Sequence, residues 1–427
     1  MAAAAPPVPS SPAAPAAPGA NPNERKLFPL RKRTGTAGFH MSRHAVDEGY
    51  DELSKLTERQ AVMLLAEAQW GSTTYMPCAH CCTLDTHYWS GKELRWKCKS
   101  CGKRFSVTSG TVFADHKLPL TKIIKMAFTW VNGASGKPAL QLRRDWKVAY
   151  QTAFTLAHKL REGLMRGFNV GTLAGTLEMD GADMNGRRYR EKRNKPQGGG
   201  GAPKPTIPAH LLKPQIDPET GEILVMGPPK PHKHDKRASM PLDRRILLVI
   251  RQRSLTKGSG AVATRIAVAL SESSDTVTKA ARKFASAESA FMSDEDPSYA
   301  KFSQLFAQHK SVNHSKTYSG PGGVNNNQAE SFNRRMRRSV EGIYLNPSNK
   351  YLSDYAAETA WREDARKLST GQKLRHVLGV AMRVGLSLWW RGYWQGKHRL
   401  VELLINGPKE ETRPRGKKKG WKAKPPR

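Results

Sequence analysis

The chain has 427 residues, with 71 lysines and arginines against 36 aspartates and glutamates, a formal charge of +35. Such a basic excess excludes an ordinary metabolic enzyme and points to a polyanionic partner, because Lys and Arg that neutralise phosphates release condensed counterions. With 38% hydrophobic residues the length is enough for about two to three cored domains.

An anionic membrane is the competing partner, but no stretch reaches the ~18–20 consecutive apolar residues of a spanning helix. The most apolar one, 377–394, is interrupted by Arg383 and Arg391. The Ala/Pro-rich start, residues 1–24, lacks the basic opening of a secretory signal and cannot bury enough surface to order. Residues 1–45 are therefore expected to be a disordered basic tail, and the chain cytoplasmic. Five cysteines, four of them in two close pairs, fit a reducing compartment and a metal site better than a disulfide framework.

From Glu48 the apolar spacing of Leu53, Leu56, Val62, Leu64 and Leu65 predicts a helix that ends before residues 71–74. Next come Cys78-Ala-His-Cys81 and, sixteen residues on, Cys98-Lys-Ser-Cys101. Each pair sets two thiolates on a tight knuckle, and two knuckles supply the four tetrahedral positions Zn²⁺ prefers. The segment between them, with Trp89, Leu94 and Trp96, reads as a β-hairpin. Cys82 is left over, and His80 and His87 read as surface residues and poorer ligands. A closed four-thiolate site stabilises folding and does no catalysis.

Residues 118–168 read as helices broken at 133–138 and 145–148. Leu140 and Leu142 before the second break, with Ala149, Ala153, Leu156 and Leu160 after it, describe a helix-turn-helix. Tyr150, Gln151 and Thr152 would meet base edges, and Arg143, Arg144 and Lys147 would reach phosphates. A small helical bundle with a solvated basic face is the alternative.

The period then changes, and 171–181, 245–253 and 261–271 read as strands. Between the first two, residues 190–240 combine GGGG, repeated Pro and many basic residues, the composition of a mobile basic loop. A helix is expected over 276–287, a strand over 289–293, and helices to about 406. Strand alternation puts Glu178 and Asp180 on one face, with Leu177, Met179 and Asp183 off it. Asp296 before Pro297 is a helix-start pair, whereas Asp294 ends a strand and is free to project beside Asp180. On a helix, Asn327, Glu330, Arg334 and Arg337 share a face; alone, that face reads as an exposed helix with Glu330 paired to Arg334. Together with the two aspartates, Glu330 completes a set of hard oxygen ligands suited to two Mg²⁺ ions about 4 Å apart, the arrangement used for phosphodiester displacement.

At this point the chain resembles the bacterial ISXO-like insertion-sequence transposases. The resemblance rests on the two cysteine pairs, on Ala139-Leu-Gln-Leu-Arg-Arg and Thr152-Ala-Phe-Thr-Leu-Ala-His-Lys-Leu-Arg around the turn, and on five later stretches. These are Glu178-Met-Asp180, Ser293-Asp294, Val312-Asn-His314-Ser, Asn327-Gln-Ala-Glu330-Ser-Phe and Glu358-Thr-Ala-Trp-Arg362. It implies an α/β, multidomain chain: a helix plus zinc ribbon (46–116), a helix-turn-helix (117–170), a ribonuclease-H-like mixed-sheet catalytic domain (171–370) and a helical segment with a basic tail (371–427). It implies a DNA transposase in the bacterial cytoplasm, associated with the nucleoid. Such an enzyme binds element ends, cuts them by Mg²⁺- or Mn²⁺-dependent hydrolysis and joins the 3′ ends to target DNA, as a dimer or larger assembly. Asp180 and Asp294 become the first two ligands; the third falls in Asn327-Gln-Ala-Glu330, with Glu330 favoured because a carboxylate binds Mg²⁺ better than an amide. Arg337 stands where the family usually has Lys. Two other functions stay open: a DNA-binding protein that lost the chemistry, and a nuclease that cuts without joining.

Overall fold

The computed structural model describes residues 38–184, 215–216, 223–225, 244–256, 259–312, 323–399 and 401–410. Most of the expected N-terminal tail, most of the 190–240 insert, residues 313–315 of the Val312 stretch and the basic C-terminal tail lie outside the described residues.

The expected first helix is two, α1 (Tyr50–Ser54) and α2 (Glu58–Trp70). Thr57 divides them, because its hydroxyl accepts from Gln60 N while the Gln60 side chain accepts from Thr57 N, a reciprocal cap that starts a new helix. Five short strands follow: β1 (Met76–Pro77), β2 (Leu84–Asp85), β3 (Tyr88–Ser90), β4 (Arg95–Lys97) and β5 (Arg104–Phe105). β3 and β4 form the expected hairpin, with Trp89 opposite Trp96. The helices α3 (Leu120–Val131), α4 (Ala139–Trp146) and α5 (Tyr150–Gly163) come next. These elements share one apolar core, to which Trp96 of β4 and Phe105 of β5 contribute along with Leu65, Ile124, Leu142 and Leu160.

The second half is built on β6 (Thr176–Met184), β9 (Arg245–Arg253) and β10 (Ala261–Ala269), with the small hairpin β7 (Gln215–Ile216) and β8 (Ile223–Val225) lying between β6 and β9 in sequence. After α6 (Ser274–Phe284) come β11 (Ala290–Asp294), α7 (Phe302–Leu305) and β12 (Gln308–Val312). The sheet order is β10-β9-β6-β11-β12, antiparallel from β10 to β6 and parallel from β6 to β12. One face packs on α6 through Leu177, Met179, Leu248 and Phe284. The other packs on α8 (Asn327–Arg338) and α9 (Leu352–Asp364) through Ala182, Val249, Phe332 and Ala356.

Two segments differ from the expected helices. β12 is an edge strand whose exposed, polar side chains show neither apolar period. After α10 (Thr370–Arg383) the chain runs through turns into the hairpin β13 (Val401–Leu404) and β14 (Gly407–Glu410), because Gly392 and Gly396 take left-handed turns. Ten α-helices and a mixed sheet make the described residues an α/β structure.

Candidate active site

Parity along β6 divides its side chains as expected. Leu177 and Met179 enter the core under α6, while Glu178 and Asp180 meet α8. The parallel ladder between β6 and β11 runs from Thr176 opposite Ala290 to Glu178 opposite Met292, and stops. β11 stays bonded to β12 as far as Asp294 opposite Val312. The same register carried forward sets Asp294 level with Asp180, where the two strands part. Neighbouring strands are about 5 Å apart, so both carboxylates stand at the mouth of one crevice.

α8 is held against that crevice by Glu178, which is fully buried. One of its oxygens accepts from Gln328 N at 2.7 Å and Ala329 N at 3.2 Å, the otherwise unpaired amides of the helix start. Its other oxygen accepts from Arg253 Nε. The same guanidinium donates to Gly323 O at 3.1 Å and Asn325 O at 2.8 Å, which fixes the approach to the helix. One turn in from this anchor, Glu330 comes beside Asp180, and Asn333 donates from Nδ2 to Asp180 Oδ2 at 2.8 Å. Asn327 is the exposed first residue of α8, so the turn of helix between it and Glu330 separates the two possible third ligands.

Burial raises the Asp180 carboxyl to about 6; the Asn333 bond works against this, and the negative charges of Glu330 and Asp294 add to it. Glu272, in the turn between β10 and α6, is also pushed up, by burial and then by Asp180, Asp296 and Asp294, against a bond from Tyr299. Acids that raise one another in this way are relieved by a divalent cation, and carboxylate oxygens are the hard donors Mg²⁺ takes. Asp296 is engaged elsewhere: it caps a 3-10 turn by accepting from Ser298 N at 2.8 Å, with Pro297 at its first position. Arg334 and Arg337 are exposed on α8.

Sequence reasoning missed Asn333, Arg253 and Glu272. Asn333 is detectable as the residue one turn beyond Glu330. Glu272 carries no local signal, since only the return of β10 along β9 brings its turn to β6.

The four paired cysteines gather at a second site, with all four sulfurs within 4.8 Å of one another. Cys78 and Cys101 are 3.8 Å apart and Cys81 and Cys98 3.6 Å, close to the roughly 3.8 Å sulfur spacing that a tetrahedral ion with bonds near 2.3 Å requires. The group can hold a metal ion such as zinc. The two knuckles repeat each other: Cys82 N bonds Cys78 O, and Gly102 N bonds Cys98 O. Cys82 and Gly102 both take the left-handed conformation, at φ 60° and 67°. Cys82 therefore occupies the turn position after the second ligand, and is not a ligand itself. His80 bonds Arg104 O at 3.2 Å; His87 is buried, contrary to the expected surface place, and bonds Thr83 O and Lys99 N.

α4 and α5 meet at a turn in which Lys147 is left-handed, at φ 47°, with Val148 N bonded to Arg143 O. Leu142, Ala153, Leu156 and Leu160 bury the inner side of the pair. Arg143, Arg144, Tyr150 and Gln151 are exposed and Thr152 is partly so.

Comparisons with curated proteins and with solved structures give no match. A family model, that of the ISXO2-like transposase domain, matches residues 219–364. The matched stretch includes Asp294, Asn327 and Glu330 and begins after Asp180, the helix pair and the cysteines. The chain therefore carries an ISXO2-like transposase domain, the family to which its sequence motifs also point.

Proposed function

We propose that the protein is a DNA transposase whose catalytic domain is ribonuclease-H-like and whose metal ligands are Asp180, Asp294 and Glu330. The observation that carries the reading is the register of β6 and β11, which brings two aspartates level where the sheet parts, beside an α8 anchored so that Glu330 faces them. The strand order, with the first strand central and the fourth and fifth parallel to it on one side, supports the fold assignment once the small β7–β8 hairpin is set aside.

In this reading the three carboxylates hold two divalent cations, Mg²⁺ or Mn²⁺. When bound, the ions supply an activated attacking oxygen and a stabilised leaving oxygen for in-line displacement at phosphorus. Asn333 orients Asp180 through its hydrogen bond, and Glu178 and Arg253 fix α8. Arg334 and Arg337 lie on the exposed side of the same helix, where they take phosphates. Zinc in the four-cysteine site keeps the ribbon folded, and α5 with Arg143, Arg144, Gln151 and Thr152 reads duplex DNA at the element ends. Cutting followed by joining to target DNA, with two ends paired in a dimer or larger assembly, completes the proposal.

The test incubates the protein with DNA carrying the sequences that flank its gene, with Mg²⁺ or with EDTA. Cleavage at the flanks is expected with Mg²⁺ alone, and Asp180→Asn and Asp294→Asn should each abolish it. Specific binding of the flanks without cleavage would overturn the enzymatic reading and leave a DNA-binding protein.

A further inference from the structure

We propose that Glu272 is a further metal ligand of this crevice, a fourth carboxylate that reaches it across the bare α-carbon of Gly181. The inference rests on the metal-site reading above.

Glu272 lies against the strand that bears Asp180. A methyl group on Gly181 would stand 2.2 Å from Glu272 Oε1 and 2.3 Å from Cδ and Oε2. The carboxylate therefore fills the volume of a side chain that position 181 lacks, next to Asp180 in sequence. Any larger residue at 181 would push it away.

The surroundings of Glu272 do not account for a charged group there. Tyr299, 2% exposed, donates to Oε1 at 2.7 Å. Among the described residues Oε2 receives no hydrogen bond, and no Lys, Arg or His pairs with the carboxylate. The nearby charges are the aspartates 180, 294 and 296, all of its own sign. A partly buried carboxylate surrounded by carboxylates costs free energy unless a cation joins them. A second observation points the same way: Asn333, 2% exposed, lies against Asp180, and its Oδ1 has no partner among the described residues. A buried amide oxygen beside acids is a further hard donor, suited to a cation or its water.

Tyr299 gives the carboxylate its direction. By occupying Oε1 from within the core it leaves Oε2 as the oxygen that faces no protein donor. Glu272 thus has one oxygen tied to the scaffold and one for the ion, the usual pattern of a ligand oriented by an outer hydrogen bond.

The experiment titrates Mn²⁺ into the zinc-loaded full chain by calorimetry and records thermal melts with and without Mn²⁺. Glu272→Gln should weaken Mn²⁺ binding by about 10–100-fold, shrink the Mn²⁺-induced rise in melting temperature, and melt no lower than the parent without Mn²⁺, because a like charge has been removed. Gly181→Ala, which keeps the acid and displaces it, should weaken binding in the same direction. Parent-like Mn²⁺ affinity in folded Glu272→Gln or Gly181→Ala, while Asp180→Asn loses binding, would overturn the role of Glu272 and leave the three-acid site standing. Parent-like affinity in Asp180→Asn would instead remove the site reading itself. A Glu272→Gln variant that melts lower without Mn²⁺ but gains the full Mn²⁺ stabilisation would assign Glu272 a structural role, and so also overturn the inference.

Discussion

Glu178 and Asp180 are two residues apart on one face of one strand, yet their surroundings give them opposite tasks. Glu178 is enclosed by two helix-start amides and a guanidinium, so its charge is satisfied and its work is to hold α8. Asp180 accepts from the Asn333 amide and the Gly181 backbone but has no cationic partner among the described residues and stands among acidic neighbours, so in the proposed reading its charge is the one a cation takes. Alternation along the strand is readable in sequence and puts both on the α8 face; it cannot say which is satisfied, because Arg253 and the α8 amides come from about 75 and 150 residues away. Removing one partner of a buried pair costs on the order of 3–5 kcal/mol. Glu178→Ala should therefore lower the unfolding free energy by about that amount, measured by denaturant titration, and a loss below about 1 kcal/mol would show that α8 does not depend on this anchor.

Among the elements, the four-cysteine cluster is the one most fully legible in advance, since thiolate spacing alone gathers Cys78, Cys81, Cys98 and Cys101. The reason Cys82 stands apart needed the backbone: it holds the left-handed turn that Gly102 holds in the other knuckle. Metal analysis of the purified chain should find a single zinc that Cys82→Ser keeps and Cys101→Ser loses. Because Trp96 and Phe105 belong to the core of α2, α3 and α5, Cys101→Ser should also lower the melting temperature of the helical half, as expected where metal binding supplies folding free energy. Zinc retained in Cys101→Ser would exclude the four-thiolate assignment. The strands with a clean apolar run, β9 and β10, are found from sequence to within a few residues, whereas β12 is not. A five-residue edge strand with one buried side chain has no pattern of its own, and only its pairing with β11 makes it a strand.

Over the whole molecule, α9 joins the two halves. Leu352, Ala356 and Ala360 enter the sheet core and Ala357 and Trp361 the helical core. Between them Glu358 accepts from Arg161 of α5 at 2.7 Å and from Tyr344 at 2.8 Å, while Arg362 donates to Val131 O and Gly133 O at the end of α3. Burial pushes the Glu358 carboxyl up, but Arg161 and Arg362 together hold it below its ordinary range. The stretch Glu358-Thr-Ala-Trp-Arg362, one of the sequence motifs, thus ties the two halves together. α10 closes the arrangement by packing on α2, α3 and α5 through Leu374, Val377 and Ala381, so the last α-helix among the described residues returns to the early ones. That return depends on contacts between residues some 300 positions apart, which periodicity cannot show. The acids at the parted strands stand on this frame, and crystals soaked in Mn²⁺ test them most directly. The account predicts anomalous scattering peaks bounded by Asp180, Asp294 and Glu330; peaks elsewhere, or peaks there with Asn327 in place of Glu330, would contradict it.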